Sequence, residues 1–338
     1  MNGEKLMEKI KWGIRGTGHI ANHFAQGLQE NKDSIIQAVV SRNLNSAKEF
    51  SEKYNGELVF DDFDQMLKEA DIDVLYIATP NNFHYSEIMK ALDAGVNVLS
   101  EKPMVDNHKQ FSEVIAKAKE KNLFLLEGMW TRFFPAMKQA VAWIAEGKIG
   151  EVINVSADFS YALDPEKDQP WKAENENNAG ALRDVGIYSI AFADQFFPQK
   201  PNKIEFSMTK ENEVDQRTHL FFDYGDGKVA FLSCGFTHHG SSTAEIVGST
   251  GKIQIGPEFW RPTTAKIIRK LDVEEEFHEP YLATGFQFEV AEVVRCLRAG
   301  LKESPDFTWQ TSERIADIIE EVRKDGGIFY DSDKDNEV

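Results

Sequence analysis

The sequence predicts an α/β chain in two parts: a doubly wound parallel-sheet domain over residues 1–128, then an α+β domain with a large, mostly antiparallel open sheet over 129–338. Three observations predict it. Short apolar strands alternate with amphipathic helices as far as Glu127, and one of them, Val74–Ala78, is apolar throughout, as strands buried on both faces of a parallel sheet are. Beyond Gly150 the strands lengthen, alternate polar with apolar residues and lose their intervening helices, which is the pattern of an antiparallel sheet with one buried face. The third is length, since 338 residues exceed what one hydrophobic core comfortably fills.

The first strand, Ile10–Ile14, runs into Gly16-Thr17-Gly18, and a helix follows with apolar residues at Ile20, Ala21, Phe24 and Leu28. Gly16 supplies the positive φ of a tight turn, Gly18 has no Cβ to hold a pyrophosphate off the backbone, and small Ala21 lets helix and strand approach closely. The helix start, with His19 and Ile20, presents unpaired N–H groups and a partial positive charge to phosphates. Placed between a strand and a helix, this G-x-G-x-x-A turn reads as the dinucleotide-binding turn of a Rossmann domain rather than a plain reversal. The second strand, Ile35–Val40, ends at Ser41-Arg42. An acid there suits the ribose 2′-OH of NAD, whereas an arginine suits a 2′-phosphate, so NADP is expected in preference to NAD.

A helix over Ser46–Tyr54, a brief strand at Leu58–Phe60 and a helix over Asp62–Glu69 precede the Val74–Ala78 strand. Thr79-Pro80-Asn81-Asn82 breaks that strand, a helix runs from His84 to Ala94, and the next strand, Val96–Ser100, ends at Glu101-Lys102-Pro103. Ligands bind at the carboxyl ends of strands in open α/β sheets, so the glycine turn, Thr79–Asn82 and Glu101–Pro103 are expected to line one crevice, with His84 capping or lining it. Asn107–Lys121 reads as helix and Leu123–Glu127 as the sixth strand. A helix over Pro135–Glu146 opens the second part. The longer strands follow at Val152–Tyr161, Lys203–Met208, Thr218–Tyr224, Lys228–Gly235, Thr243–Gly248 and Ala265–Lys270, with helices at Leu182–Phe196, Gly285–Leu297 and Trp309–Lys324. Glu274-Glu275-Glu276 reads as a solvated stretch, and the charged segment Asp331–Val338 as frayed.

Composition restricts the partners. With 41% hydrophobic residues the chain can fill two cores, and 56 acidic against 38 basic residues give a net charge of -18, which repels nucleic acid and anionic membranes. A small-molecule substrate and cofactor are therefore expected. Cys234 and Cys296 make no disulfide framework and read as buried thiols of a reducing compartment. The segment Met1–Lys9 is charged, and no run approaches the roughly 18 apolar residues of a membrane span, so a cytoplasmic location is expected. Cys234, His238 and His239 are no metal site, because adjacent residues on a strand point to opposite faces.

The stretch "IATPNNFHYSEIMKALDAGVNVLSEKP" at 77–103, with "GIRGTGHIA" before it and "GALRDVGIY" after it, resembles the signatures of the Gfo/Idh/MocA oxidoreductase family. The tyrosine in the last motif and "EGMWTRFFP" at 127–135 are most similar to its dihydrodiol dehydrogenase and xylose dehydrogenase branch. The resemblance implies that Lys102 sits beside nicotinamide and substrate, that Asp184 and Tyr188 are the second catalytic motif, and that the open sheet serves as a homodimer or homotetramer interface. It leaves Asn178, Ala179 and Arg183 as departures from the family's usual pattern. Residues four apart on a helix share a face, so Asp184 and Tyr188 can project together. Tyr188, a phenol with an ordinary pKa near 10, can accept a substrate's hydroxyl proton if the Lys102 ammonium lowers it. Asp184 would fix the hydroxyl or the lysine by a charge-assisted hydrogen bond. Trp130, Arg132 and Phe133 are candidates for the substrate wall, at least one of the aromatics being core. The expected activity is hydride transfer between NADP (or NAD) and a CH–OH group of a sugar, polyol or cyclic dihydrodiol. The alternative is a non-catalytic cofactor sensor on the same scaffold, which would not need Lys102, Asp184 and Tyr188 together.

Overall fold

The computed structural model describes residues 8–164 and 178–336. Among these, 8–104, 112–128 and 281–308 form one compact unit, and 105–111, 129–164, 178–280 and 309–336 form a second.

In the first unit, β1 (Ile10–Arg15), β2 (Ser34–Val40), β3 (Leu58–Phe60), β4 (Val74–Ile77), β5 (Asn97–Glu101) and β6 (Leu125–Gly128) form a six-stranded sheet in the order β3-β2-β1-β4-β5-β6. Every neighbouring pair is parallel. All four residues of β4 are buried, as the apolar run requires of a central strand. Successive strands are connected by α1 (His19–Gln29), α2 (Leu44–Tyr54), α3 (Phe63–Glu69), α4 (Asn81–Asp93) and α5 (His108–Lys121). Asn43 caps α2 by accepting the amides of Asn45 and Ser46, and Asp62 caps α3 by accepting that of Gln65. The strand order reverses direction between β1 and β4, and their carboxyl ends are the topological switch point of the sheet.

The second unit contains α6 (Pro135–Ala145), β7 (Val152–Ser160), α7 (Ile187–Phe196), β8 (Lys203–Glu211), β9 (Val214–Gly225), β10 (Lys228–Gly235), β11 (Ala244–Gly248), β12 (Lys252–Ile255), β13 (Thr264–Arg269) and β14 (Asp272–His278). Its eight-stranded sheet has the order β14-β13-β12-β11-β7-β10-β9-β8 and is antiparallel except where β7 meets β10. Leu220, Phe222, Ala230, Leu232 and Cys234 are buried on one face, where Gly186 permits close approach of the chain before α7: a Cβ there would lie 2.8 Å from Cys234 Sγ. On the other face Phe221 and Phe231 lie 5.4 Å apart between ring centroids, with Phe231 52% exposed.

Two expectations are corrected. The helix α8 (Phe286–Arg298), expected in the second domain, packs in the first unit: Gly27 and Phe286 are so close that a Cβ on Gly27 would come 2.6 Å from that of Phe286. Arg298 also pairs with Asp33 at 2.9 Å. A chain that returns to an earlier core leaves no local mark of doing so. Glu274 and Glu276 are exposed, as expected of a solvated stretch, on the edge strand β14, where Glu275 accepts from Lys148 at 2.6 Å and from Trp143 Nε1 at 3.0 Å. Asp331–Asn336 is a 3₁₀ turn rather than a frayed segment, because Asp333 is buried against Arg323. No helix among the described residues is long and apolar enough to cross a membrane.

Candidate functional site

In the first unit the glycine turn has the geometry of a phosphate cradle. Gly16 adopts φ +102, and a Cβ there would come 2.8 Å from Ala78 O, so no other residue fits without strain. Gly18 stands at the start of α1, where a Cβ would meet nothing within 4 Å. No side chain caps α1 and its first turn holds no acid. Open space beside Gly18 and a helix start free of competing carboxylates fit a pyrophosphate. Thr17 donates to Ser41 Oγ at 3.3 Å, His19 is exposed with its ring 4.2 Å from that of His23, and Ile20 is half-buried. Arg42 is exposed directly after β2, with no acid at the strand's end. Asn22 was not foreseen: its Nδ2 donates to Gly18 O at 2.9 Å and Thr17 O at 3.2 Å, while its Oδ1 accepts from Tyr54 Oη at 3.0 Å. Its place one turn into the helix was the available signal.

At the ends of β4 and β5 the structure brings Thr79, Pro80, Asn81, His84, Glu101 and Lys102 into one cluster. His84 is 1% exposed, and its Nδ1 and Nε2 lie 2.9 Å from Pro103 O and 2.8 Å from Thr79 O. The ring therefore braces the two strand-end loops against each other. Thr79 Oγ1 donates to Glu87 Oε2 at 2.7 Å, and Arg15 Nε donates to Glu87 Oε1 at 2.8 Å. Glu101 accepts from Tyr76 Oη at 2.6 Å. Glu289 of α8 is wholly buried, its carboxyl oxygens have no hydrogen-bond partner among the described residues, and burial together with the neighbouring Glu101 charge pushes its pKa well above the usual carboxylate range. Sequence reading had no means of finding Glu289, which reaches this cluster only through the return of the chain.

The second unit holds the other candidates. Leu182–Gly186 is a π-helical turn leading into α7; Asp184 lies in it half-buried and Tyr188 follows, 8% exposed. Asp215 accepts the Leu182 amide at 2.7 Å and Thr218 Oγ1 at 3.1 Å, and burial raises its pKa to about 6. Gly180, at φ +126, leaves the space that the Asp215 carboxylate fills. The Phe159 ring lies 5.5 Å from that of Tyr188 and stacks on Trp260 at 3.5 Å and 4°. Thr131 fixes the Trp260 backbone by donating to its carbonyl at 2.7 Å. Phe159 and Trp260 are the aromatic surface beside Tyr188, and no local pattern in the sequence linked them.

Two of the wall candidates are buried. Phe133 is 2% exposed, and Arg132, at 8%, donates to Ala191 O at 2.7 Å beside Asp194. Trp130 meets Phe134 edge-on at 5.5 Å. Cys234 and Cys296 are buried free thiols.

Residues 10–129 match the family model described as an oxidoreductase family with an NAD-binding Rossmann fold, and residues 137–254 match the GFO/IDH/MocA C-terminal domain. The trans-1,2-dihydrobenzene-1,2-diol dehydrogenase of Mus musculus is 33% identical over 337 residues, covering 96% of this chain and 99% of its own. That of Homo sapiens is also 33% identical, with the same coverage. Among solved structures, a 3-ketoreductase from Actinomadura kijaniata in complex with NADP and TDP-benzene matches with a TM-score of 0.81 at 27% identity, over 94% of this chain and 98% of that one. An aldose-aldose oxidoreductase from Caulobacter crescentus shares the fold, with a TM-score of 0.83 at 21% identity over 94% and 98% of the two chains.

Proposed function

The chain belongs to the Gfo/Idh/MocA family of oxidoreductases with an NAD-binding Rossmann domain, and from that premise we propose that it is an NADP-preferring dehydrogenase of a CH–OH group in a cyclic dihydrodiol, sugar or polyol. The observation that carries this reading is the open space at Gly18 beside the uncapped start of α1, with Arg42 rather than an acid beyond β2. When bound, the nicotinamide supplies the hydride acceptor. The chain's own residues deal with the proton and with orientation. Tyr188 Oη takes the hydroxyl proton of the substrate, a role that typically contributes about 10² to 10⁴ in rate. Lys102 is proposed as the cation of the site, and the Asp184 carboxylate as the group that accepts a hydrogen bond from the substrate hydroxyl. Phe159 and Trp260 offer a flat apolar surface suited to one face of a ring substrate. His84 holds the Thr79 carbonyl and the Pro103 carbonyl, next to Lys102, in place.

The curated relatives are named for a dihydrodiol, and a structural neighbour is named as a ketoreductase, which together support a ring-borne secondary alcohol or its ketone as substrate. The exposed Phe221–Phe231 face of the eight-stranded sheet is proposed as the contact between copies of this chain. The test of the function is a spectrophotometric screen of NADP+ and NAD+ reduction against trans-dihydrodiols, sugars and polyols. Turnover with at least one of these, faster with NADP+, is expected; none with either cofactor across the panel would reject the reading.

A further inference from the structure

The turn that carries Asp184 is held from behind by a buried network. Arg183 is 2% exposed; its Nη1 donates to Asp106 Oδ1 at 2.8 Å and its Nη2 to Val105 O at 3.1 Å, and its guanidinium lies 5.0 Å from the centroid of the Tyr330 ring. The same ring lies 4.1 Å from the Arg323 guanidinium, and Tyr330 Oη donates to Ala179 O at 3.2 Å. Asp106 also accepts from Asn178 Nδ2 at 2.8 Å and Ser332 Oγ at 3.2 Å. Asp333 closes the segment, accepting from Arg323 at 2.6 and 2.9 Å and from the Tyr330 amide at 2.8 Å.

We propose that residues 328–333 are a strap across the 179–183 backbone, and that Tyr330 and Arg183 are positioning residues which set the orientation of Asp184 and Tyr188. The inference rests on the catalytic reading of those two side chains. Three arguments carry it. A buried ion pair is commonly no more stabilising than apolar residues of the same volume, so two enclosed guanidiniums are poorly explained by stability alone; what they add is fixed geometry. A π-helical turn is an irregular conformation that persists where neighbours determine it, and such turns are frequent at functional sites. Here the Ala179 carbonyl, the Leu182 amide and the Arg183 side chain are each gripped by a group outside the turn. The strap and Asp215 thus constrain the backbone immediately before Asp184 from two independent sides.

The test uses the full chain with Tyr330→Phe, which removes one hydrogen bond and keeps the ring between its cations. Amide hydrogen exchange across residues 180–188 should rise about fivefold, the equivalent of one hydrogen bond, and kcat should fall by a similar factor with KM within about twofold. Arg183→Met should act in the same direction and more strongly where it folds; if it does not fold, Tyr330→Phe decides. Wild-type exchange in the folded Tyr330→Phe variant would overturn the strap. Faster exchange with unchanged kcat, in a protein that Tyr188→Phe inactivates, would overturn the positioning role. A Tyr188→Phe variant with wild-type turnover would instead overturn the catalytic reading, and the strap is then judged on exchange alone.

Discussion

Asp215 Oδ2 accepts the Leu182 amide at 2.7 Å, so a carboxylate enclosed in the second unit caps the turn in which Asp184 lies. Burial raises the pKa of Asp215 from an ordinary 3.8 to about 6. Between those values the folded chain keeps a proton that the unfolded chain has released, so the associated stability is complete below pH 3.8 and is lost as pH rises through 6. The shift corresponds to a penalty on the order of 3 kcal/mol at neutral pH. Asp215→Asn, with its amide oxygen in place of Oδ2, still accepts from the Leu182 amide and from Thr218 Oγ1, so its denaturation midpoint should lose this component of the pH dependence between pH 4 and 7. Parallel midpoint profiles for variant and wild type would contradict the assignment.

Glu289 obeys the same sign. Its carboxyl is held neutral by burial and by Glu101, so the unfolded chain releases its proton first, and stability falls as pH rises above 4.5. Glu289→Gln keeps the shape and removes the ionisation. Thermal melts at pH 8 should place the variant above wild type, with the gap closing toward pH 4.5; a variant less stable at pH 8 would mean that Glu289 is ionised and paired in the native state.

The two turn glycines should separate folding from binding. Gly16→Ala forces a side chain into φ +102 and against Ala78 O, and should cost about 2 kcal/mol or more in a denaturant melt. A methyl group on Gly18 meets no protein atom, so Gly18→Ala should leave the melt within about 1 kcal/mol of wild type. Its dinucleotide affinity, followed by fluorescence titration, should nevertheless fall at least about tenfold. Unchanged affinity in Gly18→Ala would remove the cradle from the account.

Much of this was legible in sequence because it is local. Strand, glycine turn and helix lie within Ile10–Gln29, and the buried character of Val74–Ile77 follows from four consecutive apolar residues. The start of α2 lies two residues before Ser46, at Leu44, because Asn43 accepts the first amides. The rest depended on contacts between distant segments. The charged segment from Asp331 reads as frayed until Asp333 is seen on Arg323, and Arg183 reads as a departure from pattern until Asp106 and Tyr330 are seen around it. The burial of Arg132 and Phe133 was likewise not legible, because an aromatic, basic stretch has the same composition whether or not other segments cover it.

The exposed face of the eight-stranded sheet gives a prediction of assembly. Phe231 is 52% exposed next to Phe221, and Phe231→Asp places a charge where a second copy would pack. Sedimentation should show wild type as a dimer or tetramer and the variant shifted toward monomer. A monomeric wild type would dispose of this interface.

The most direct test of the catalytic reading is initial-rate NADP+ reduction by wild type, Lys102→Ala and Tyr188→Phe on the best substrate of the screen, with cofactor affinity measured alongside. Loss of the proposed base and of the proposed cation should each lower turnover by about 10² to 10⁴, while dinucleotide affinity changes by only a few-fold. Both variants turning over at the wild-type rate would contradict it.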